Sequence, residues 1–214
     1  MRGFHNFFLL FRDYCISVRY VLYYMGRWFI TPSTKIEALL PRDGTIVDIG
    51  CGEGILDNLL ALRAPNRRVI GFDLNARRVQ VAESIKKKRA IPNVEFFVAD
   101  ALTHDWGDAA AVVMIDVLHH IPDLHEQEKV VMRVSERLDS GAQFIVREPG
   151  LEDQVKARLA YWGDVHLLYR GDVIIFRKKS EWKALFEKAG FEVTIYNTNH
   201  LSPLSSYLFV CKKR

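Results

Sequence analysis

A chain of 214 residues, 49% of them apolar and 26% charged, can bury one sizeable core, which excludes intrinsic disorder and predicts a single folded domain. Its net charge of +4 is too small for a dedicated nucleic-acid binder and suits an anionic membrane surface better, so no nucleic-acid partner is expected. Cys15, Cys51 and Cys211 are too few and too scattered for a disulfide framework or a zinc site, which points to a reducing, cytoplasmic setting without a metal.

Residues 1–32 read as a segment distinct from the rest of the chain. Phe7, Phe8, Phe11, Tyr14, Tyr20, Tyr23, Tyr24, Trp28 and Phe29 crowd it, yet Arg12, Asp13, Arg19 and Arg27 break every window long enough to cross a bilayer. Asp13 and Arg19 also interrupt the apolar run that a signal peptide needs. His5, Arg12 and Arg19 recur every seven residues, so a helix would gather them on one stripe and leave the rest of its surface apolar. That pattern suits a helix lying peripherally on the inner membrane face through residues 1–30. It suits equally a lid over the active site, and a contact within a homodimer is a third use left open.

From Ser33 the pattern becomes regular. Ser33 offers an N-cap for a helix ending at Leu40, and Pro41 to Gly44 form a turn. Thr45 to Ile49 is a short β-branched run of the kind found in buried parallel strands, followed by a glycine cluster and a helix over 55–62. A strand over 68–73, a basic helix over 76–89 and strands over 94–99 and 111–115 come next. The charge run Lys86 to Arg89 reads as a solvated helix end that complements the macrodipole. A helix over 125–138 leads to a fifth strand over 143–147. Ser180 is expected to cap a helix over 181–189 that Gly190 ends, and strands over 191–197 and 207–212 close the chain. Strands alternating with helices predict an α/β fold, a doubly wound, mostly parallel sheet with helices on both faces.

Ligands of such sheets bind beyond the carboxyl ends of the strands. The first strand ends in Asp48-Ile49-Gly50-Cys51-Gly52-Glu53-Gly54, where three missing side chains let the backbone turn sharply and a ligand rest against it. A dinucleotide fingerprint would need its third glycine at 55, where Ile55 stands. Asp48 suits a ligand with a cationic end, and S-adenosylmethionine, with an ammonium, a sulfonium and no phosphate, is such a ligand. Asp73 ends the second strand 21 residues beyond Gly52, where an acid can accept from both ribose hydroxyls. Asp100 ends the third strand, where a carboxylate can accept from an adenine amino group.

With these residues in view, the chain resembles the class I S-adenosylmethionine-dependent methyltransferases over nearly all of residues 33–214. The resemblance implies seven strands with an antiparallel last strand inserted beside the sixth. It implies that Asp48, Gly50, Cys51, Gly52 and Gly54 hold the methionine portion, Asp73 and Leu74 the ribose, and Asp100 with Ala101 the adenine. Asp116, after the fourth strand, would face the reactive end of the cofactor. Asp116-Val117-Leu118-His119-His120-Ile121-Pro122-Asp123 resembles the small-molecule members of the family, including those of quinone and lipid pathways.

His119 or His120 is a candidate base for a hydroxyl acceptor, the alternative being that they shape the pocket. Residues 148–179 are longer than an ordinary connection and are expected to form a substrate cap. Glu148 and His166 within it are alternative bases. The apolar residues of the cap and of the first segment point to a small lipophilic or aromatic substrate, such as a lipid, polyene or quinone-like molecule, and to O-methylation. Two other readings stay open. An NAD-dependent oxidoreductase or epimerase would use a similar loop, but Tyr161 is followed four residues on by Val165 rather than lysine. A non-catalytic membrane-binding module on the same fold would not need the cofactor positions.

Overall fold

The computed structural model describes residues 33–150, 173–198 and 206–214. The amino-terminal segment, His166 and most of the expected cap lie outside the described residues. The chain divides into two units, one up to Trp106 and one from Gly107.

The first unit runs α1 (Ser33–Leu39), β1 (Gly44–Ile49), α2 (Ile55–Arg63), β2 (Arg67–Asp73), α3 (Ala76–Arg89) and β3 (Val94–Val98). Ile46, Val47 and Ile49 of β1 and Val69, Ile70 and Phe72 of β2 are all buried, the near-continuous apolar run that a parallel sheet covered on both faces requires. β2 is central and pairs in parallel with β1 and β3, in a register that sets Asp48 beside Gly71 and Gly71 beside Phe96. α3 starts where the Asn75 side chain accepts from the N–H groups of Arg77 and Arg78, and it ends at Ala90 in the left-handed region.

The second unit runs β4 (Ala111–Ile115), a 3-10 turn (Leu118–His120), α4 (Leu124–Arg137), β5 (Gln143–Pro149), α5 (Lys179–Lys188), β6 (Phe191–Asn197) and β7 (Ser206–Lys213). β4 pairs in parallel with β5, and β7 lies antiparallel between β5 and β6. Its core is aromatic: Phe186 of α5 stacks on Trp182 at 5.9 Å and meets Phe144 of β5 and Phe209 of β7 edge-on at 5.8 and 5.3 Å.

The strand order is β3-β2-β1-β4-β5-β7-β6, a seven-stranded sheet in which only β7 runs against the rest. The expected fold class therefore holds. Two local expectations do not. α5 begins at Lys179, with Ser180 inside its first turn, because the Glu181 carboxylate reaches back and accepts from the Lys178 N–H, fixing the helix start there. β5 runs through Glu148 to Pro149, so the expected cap starts inside a strand. The 3-10 turn over Leu118–His120 has no sequence signal, since three residues are too few to show a period. No described helix is long and apolar enough to cross a membrane.

Candidate active site

β1 ends where its backbone enters the left-handed region three times, at Gly50 (φ 77°), Gly52 (φ 56°) and Gly54 (φ 71°). The N–H groups of Gly50 and Cys51 donate to Phe72 O at 2.8 and 3.1 Å and pin the loop to β2. Two of the glycines serve different ends. A Cβ on Gly54 would lie 2.6 Å from the Phe96 ring and 2.7 Å from Ala82 Cβ, so this glycine lets α2 and the loop close on β3 and α3. A Cβ on Gly52 would meet nothing within 4 Å, so the bare backbone there borders open space in which a ligand can lie.

Asp73, at the end of β2, is fixed by that loop. Its Oδ2 accepts from the Gly52 N–H at 3.0 Å and its Oδ1 from the Asn75 N–H at 2.8 Å. A carboxylate has about four acceptor positions, so capacity remains for a diol. Leu74 beside it is 74% exposed, a large apolar side chain in the open. Asp100 lies two residues beyond the end of β3 and is exposed, with Oδ1 accepting from Leu102 N–H at 2.8 Å across the turn that contains Ala101. Phe97 and Val98, also exposed, give apolar ground on the edge strand.

The electrostatics of this loop are acidic. Asp48 is buried on β1. Burial, and then the charges of Asp57, Asp48, Asp73 and Glu53, push the Cys51 thiol far above its ordinary range, so it stays protonated and makes no nucleophile. Arg78 of α3 meets Glu53 at 3.5 Å. A cradle of carboxylates around an open backbone loop attracts a cation and repels a pyrophosphate. It fits S-adenosylmethionine and does not fit a dinucleotide. Asp57 carries no motif signal in the sequence, although its spacing to Leu60, Ala61 and Ala64 places an acid on an apolar helix stripe.

The second unit holds a separate polar cluster at the ends of β4 and β5. Glu148 is fully buried, and its Oε1 accepts from the N–H groups of Val117 and Leu118 at 3.1 and 2.8 Å. Its Oε2 lies 2.6 Å from Nδ1 of His119, a side chain 2% exposed. A carboxylate can only accept, so His119 carries its proton on Nδ1 and presents Nε2 as the basic nitrogen. The rings of His120 and Phe176 stack against His119 at 4.2 and 5.2 Å, and His119 O accepts from Ile175 N–H at 2.9 Å. Glu148 is thus occupied as an organiser of the turn and of the imidazole, which leaves it poorly placed as a base.

Asp116 is held in place by its own ion pair. It is a non-glycine residue at φ 57°, and its carboxylate is held by both oxygens on Nη1 of the buried Arg147, whose Nη2 donates to Ser206 Oγ at 2.9 Å. Strain at a strand end is tolerated where surroundings over-determine it, and here the ion pair and the Asp116 N–H to Arg147 O bond do so. Arg147 escapes sequence reasoning because it sits in an otherwise apolar strand.

A family model described as "Methyltransferase domain" matches residues 19–195. The chain is 32% identical over 127 residues to a trans-aconitate 2-methyltransferase of Azoarcus sp., covering 57% of this chain and 46% of that one. It is 28% identical over 165 residues to a ubiquinone biosynthesis O-methyltransferase of Cupriavidus pinatubonensis, covering 75% of this chain and 65% of that one. The chain thus spans less than two thirds of the length of these relatives. Among solved structures, an S-adenosylmethionine-dependent methyltransferase of Methanosarcina mazei superposes with a TM-score of 0.69 at 22% identity, covering 86% of this chain and 97% of that one.

Proposed function

The chain belongs to the methyltransferase-domain family, of the class I S-adenosylmethionine-dependent type, and from that premise we propose that it methylates an oxygen of a small lipophilic or aromatic acceptor. The observation that carries the oxygen assignment is the His119–Glu148 pair, whose 2.6 Å contact fixes the tautomer that a general base needs. The bound cofactor supplies a methyl carbon already activated by its sulfonium. The chain's own work is to align the acceptor and take its proton. Gly50 to Gly54, with Asp48, would hold the cationic methionine portion, Asp73 and Leu74 the ribose, and Asp100 with Ala101 the adenine. His119 Nε2 would accept the hydroxyl proton of an acceptor aligned beside it, and Glu148 would stabilise the resulting imidazolium.

The apolar character of the acceptor is supported by what packs beside the base. Phe176 and His120 both lay their rings against His119, at 5.2 and 4.2 Å, so the base is flanked by aromatic surface. The relatives divide on this point, one being named for trans-aconitate and another for ubiquinone biosynthesis. A cytoplasmic enzyme docking peripherally on the inner membrane face through residues 1–30 would meet such an acceptor where it resides.

Incubation with methyl-labelled S-adenosylmethionine and a cell extract tests the reading. Label is expected in an organic-phase ether and absent when Asp73→Ala replaces the native chain, with cofactor affinity reduced at least tenfold by calorimetry. Label in a water-soluble carboxylate ester would overturn the lipophilic acceptor. Unchanged cofactor affinity in Asp73→Ala would overturn the assignment of the cradle.

A further inference from the structure

We propose that Asp57 is a positioning residue for the cofactor's cationic end, sharing one proton with Asp48 until that cation arrives and then releasing it to solvent. The inference rests on the S-adenosylmethionine reading of the glycine loop. It adds a residue to it, from a helix whose side chains the loop motif does not include.

The geometry comes from the register. Asp48 of β1, Gly71 of β2 and Phe96 of β3 lie side by side, so their side-chain positions share one face of the sheet. Gly71 leaves a gap in that row, and α2 fills it. A Cβ on Gly71 would lie 2.7 Å from Asp57 Oδ1 and 2.9 Å from the Phe96 ring. The Asp57 carboxyl therefore sits in the space over Gly71, next to Asp48. Asp57 is 0% exposed and Asp48 4% exposed, and no side-chain donor reaches the Asp57 oxygens at full hydrogen-bond geometry. What Asp57 meets is the carboxyl of Asp48, within hydrogen-bonding reach.

Two ionised carboxylates at contact in a dry site repel strongly, and one proton between them turns the repulsion into a hydrogen bond. Burial raises Asp57 to a pKa of about 7, with a hydrogen bond from its own backbone N–H and then the one to Asp48 opposing that rise. The titratable neighbour the two acids share is the Cys51 thiol of the loop, neutral and pushed up by both of them and also by Asp73 of β2 and Glu53, while Arg78 of α3 is engaged by Glu53. Phe96 of β3 and Ala82 of α3 add only carbon. An ammonium placed at the loop stabilises the doubly ionised pair, so at pH below about 7 its binding expels the shared proton. The one bond broken is the carboxyl O–H, whose proton passes to water or buffer.

Calorimetry of S-adenosylhomocysteine binding, in buffers of different ionisation enthalpy, counts that proton. At about pH 6 the native chain should release close to one proton per ligand, and affinity should rise up to about tenfold per pH unit toward pH 7. Asp57→Asn, whose amide can donate permanently to Asp48, should bind without that release and with a flat profile. Release by the variant equal to the native chain, or none by the native chain, overturns the proposal. Binding by neither folded protein overturns the cofactor reading instead. Infrared difference spectra of the native chain alone give an independent measure, since a protonated-carboxyl band should vanish on ligand addition at about pH 6, and its persistence refutes the proposal even if the variant does not fold.

Discussion

At the scale of single residues, the burial of Glu148 separates two roles that a bare list of acids and histidines would merge. Its oxygens already serve the N–H groups of Val117 and Leu118 and the imidazole of His119. An acid so engaged acts through the histidine, and its loss should cost what the histidine's loss costs. His119→Ala is expected to lower kcat by about 10²–10⁴-fold with cofactor binding retained. Glu148→Gln should fall in the same range, because the amide cannot accept at all three positions and leaves a buried polar group mismatched. The double variant should fall no further, since the two residues form one device. Losses that multiply in the double variant would show that Glu148 works independently of His119.

At the scale of elements, the glycine loop makes a prediction from its two unlike glycines. Gly52 and Gly54 both need left-handed backbone, so alanine at either should destabilise by about 1–2 kcal/mol. Gly54→Ala should add roughly 1–3 kcal/mol of overpacking, because its Cβ would enter the Phe96 ring. Urea unfolding of the two variants reads the difference, and equal midpoints would mean that Phe96 yields at no cost. The contrast is not visible in the sequence, where the three glycines are equivalent letters. What the sequence carries is local: β1, β2, β4 and β5 announce themselves as β-branched runs, and the loop, Asp73 and Asp100 follow from their positions at strand ends. What it hides is pairing across the chain. Asp57 becomes interesting only because Gly71 clears space for it, and Asp116 changes character only because Arg147, 31 residues on, reaches its carboxylate. Ser180 misleads as a cap because a serine before a helix is the commoner signal, and the Glu181 carboxylate outcompetes it.

At the scale of the whole molecule, the proposed lipophilic acceptor raises the matter of where it would be met. The first thirty residues carry Arg2, Arg12, Arg19 and Arg27 against Asp13, among a dense set of aromatics. Neither part suffices alone for stable attachment, but together they supply the two signals that peripheral binding needs. Near an anionic leaflet each basic residue contributes roughly 1 kcal/mol, so a surplus of three charges amounts to about a hundredfold in partitioning before any aromatic burial is counted. That electrostatic part is screened by salt, whereas burial of phenylalanine and tryptophan is not. The full chain should therefore float with anionic vesicles, more weakly as ionic strength rises, and only slightly with neutral ones. A chain beginning at Ser33 should stay at the bottom of the gradient while keeping its affinity for S-adenosylhomocysteine. If both chains stay at the bottom, attachment through residues 1–30 is wrong. If the shortened chain instead loses cofactor affinity, the aromatic segment serves the cleft rather than the bilayer, and the acceptor must reach the enzyme through water.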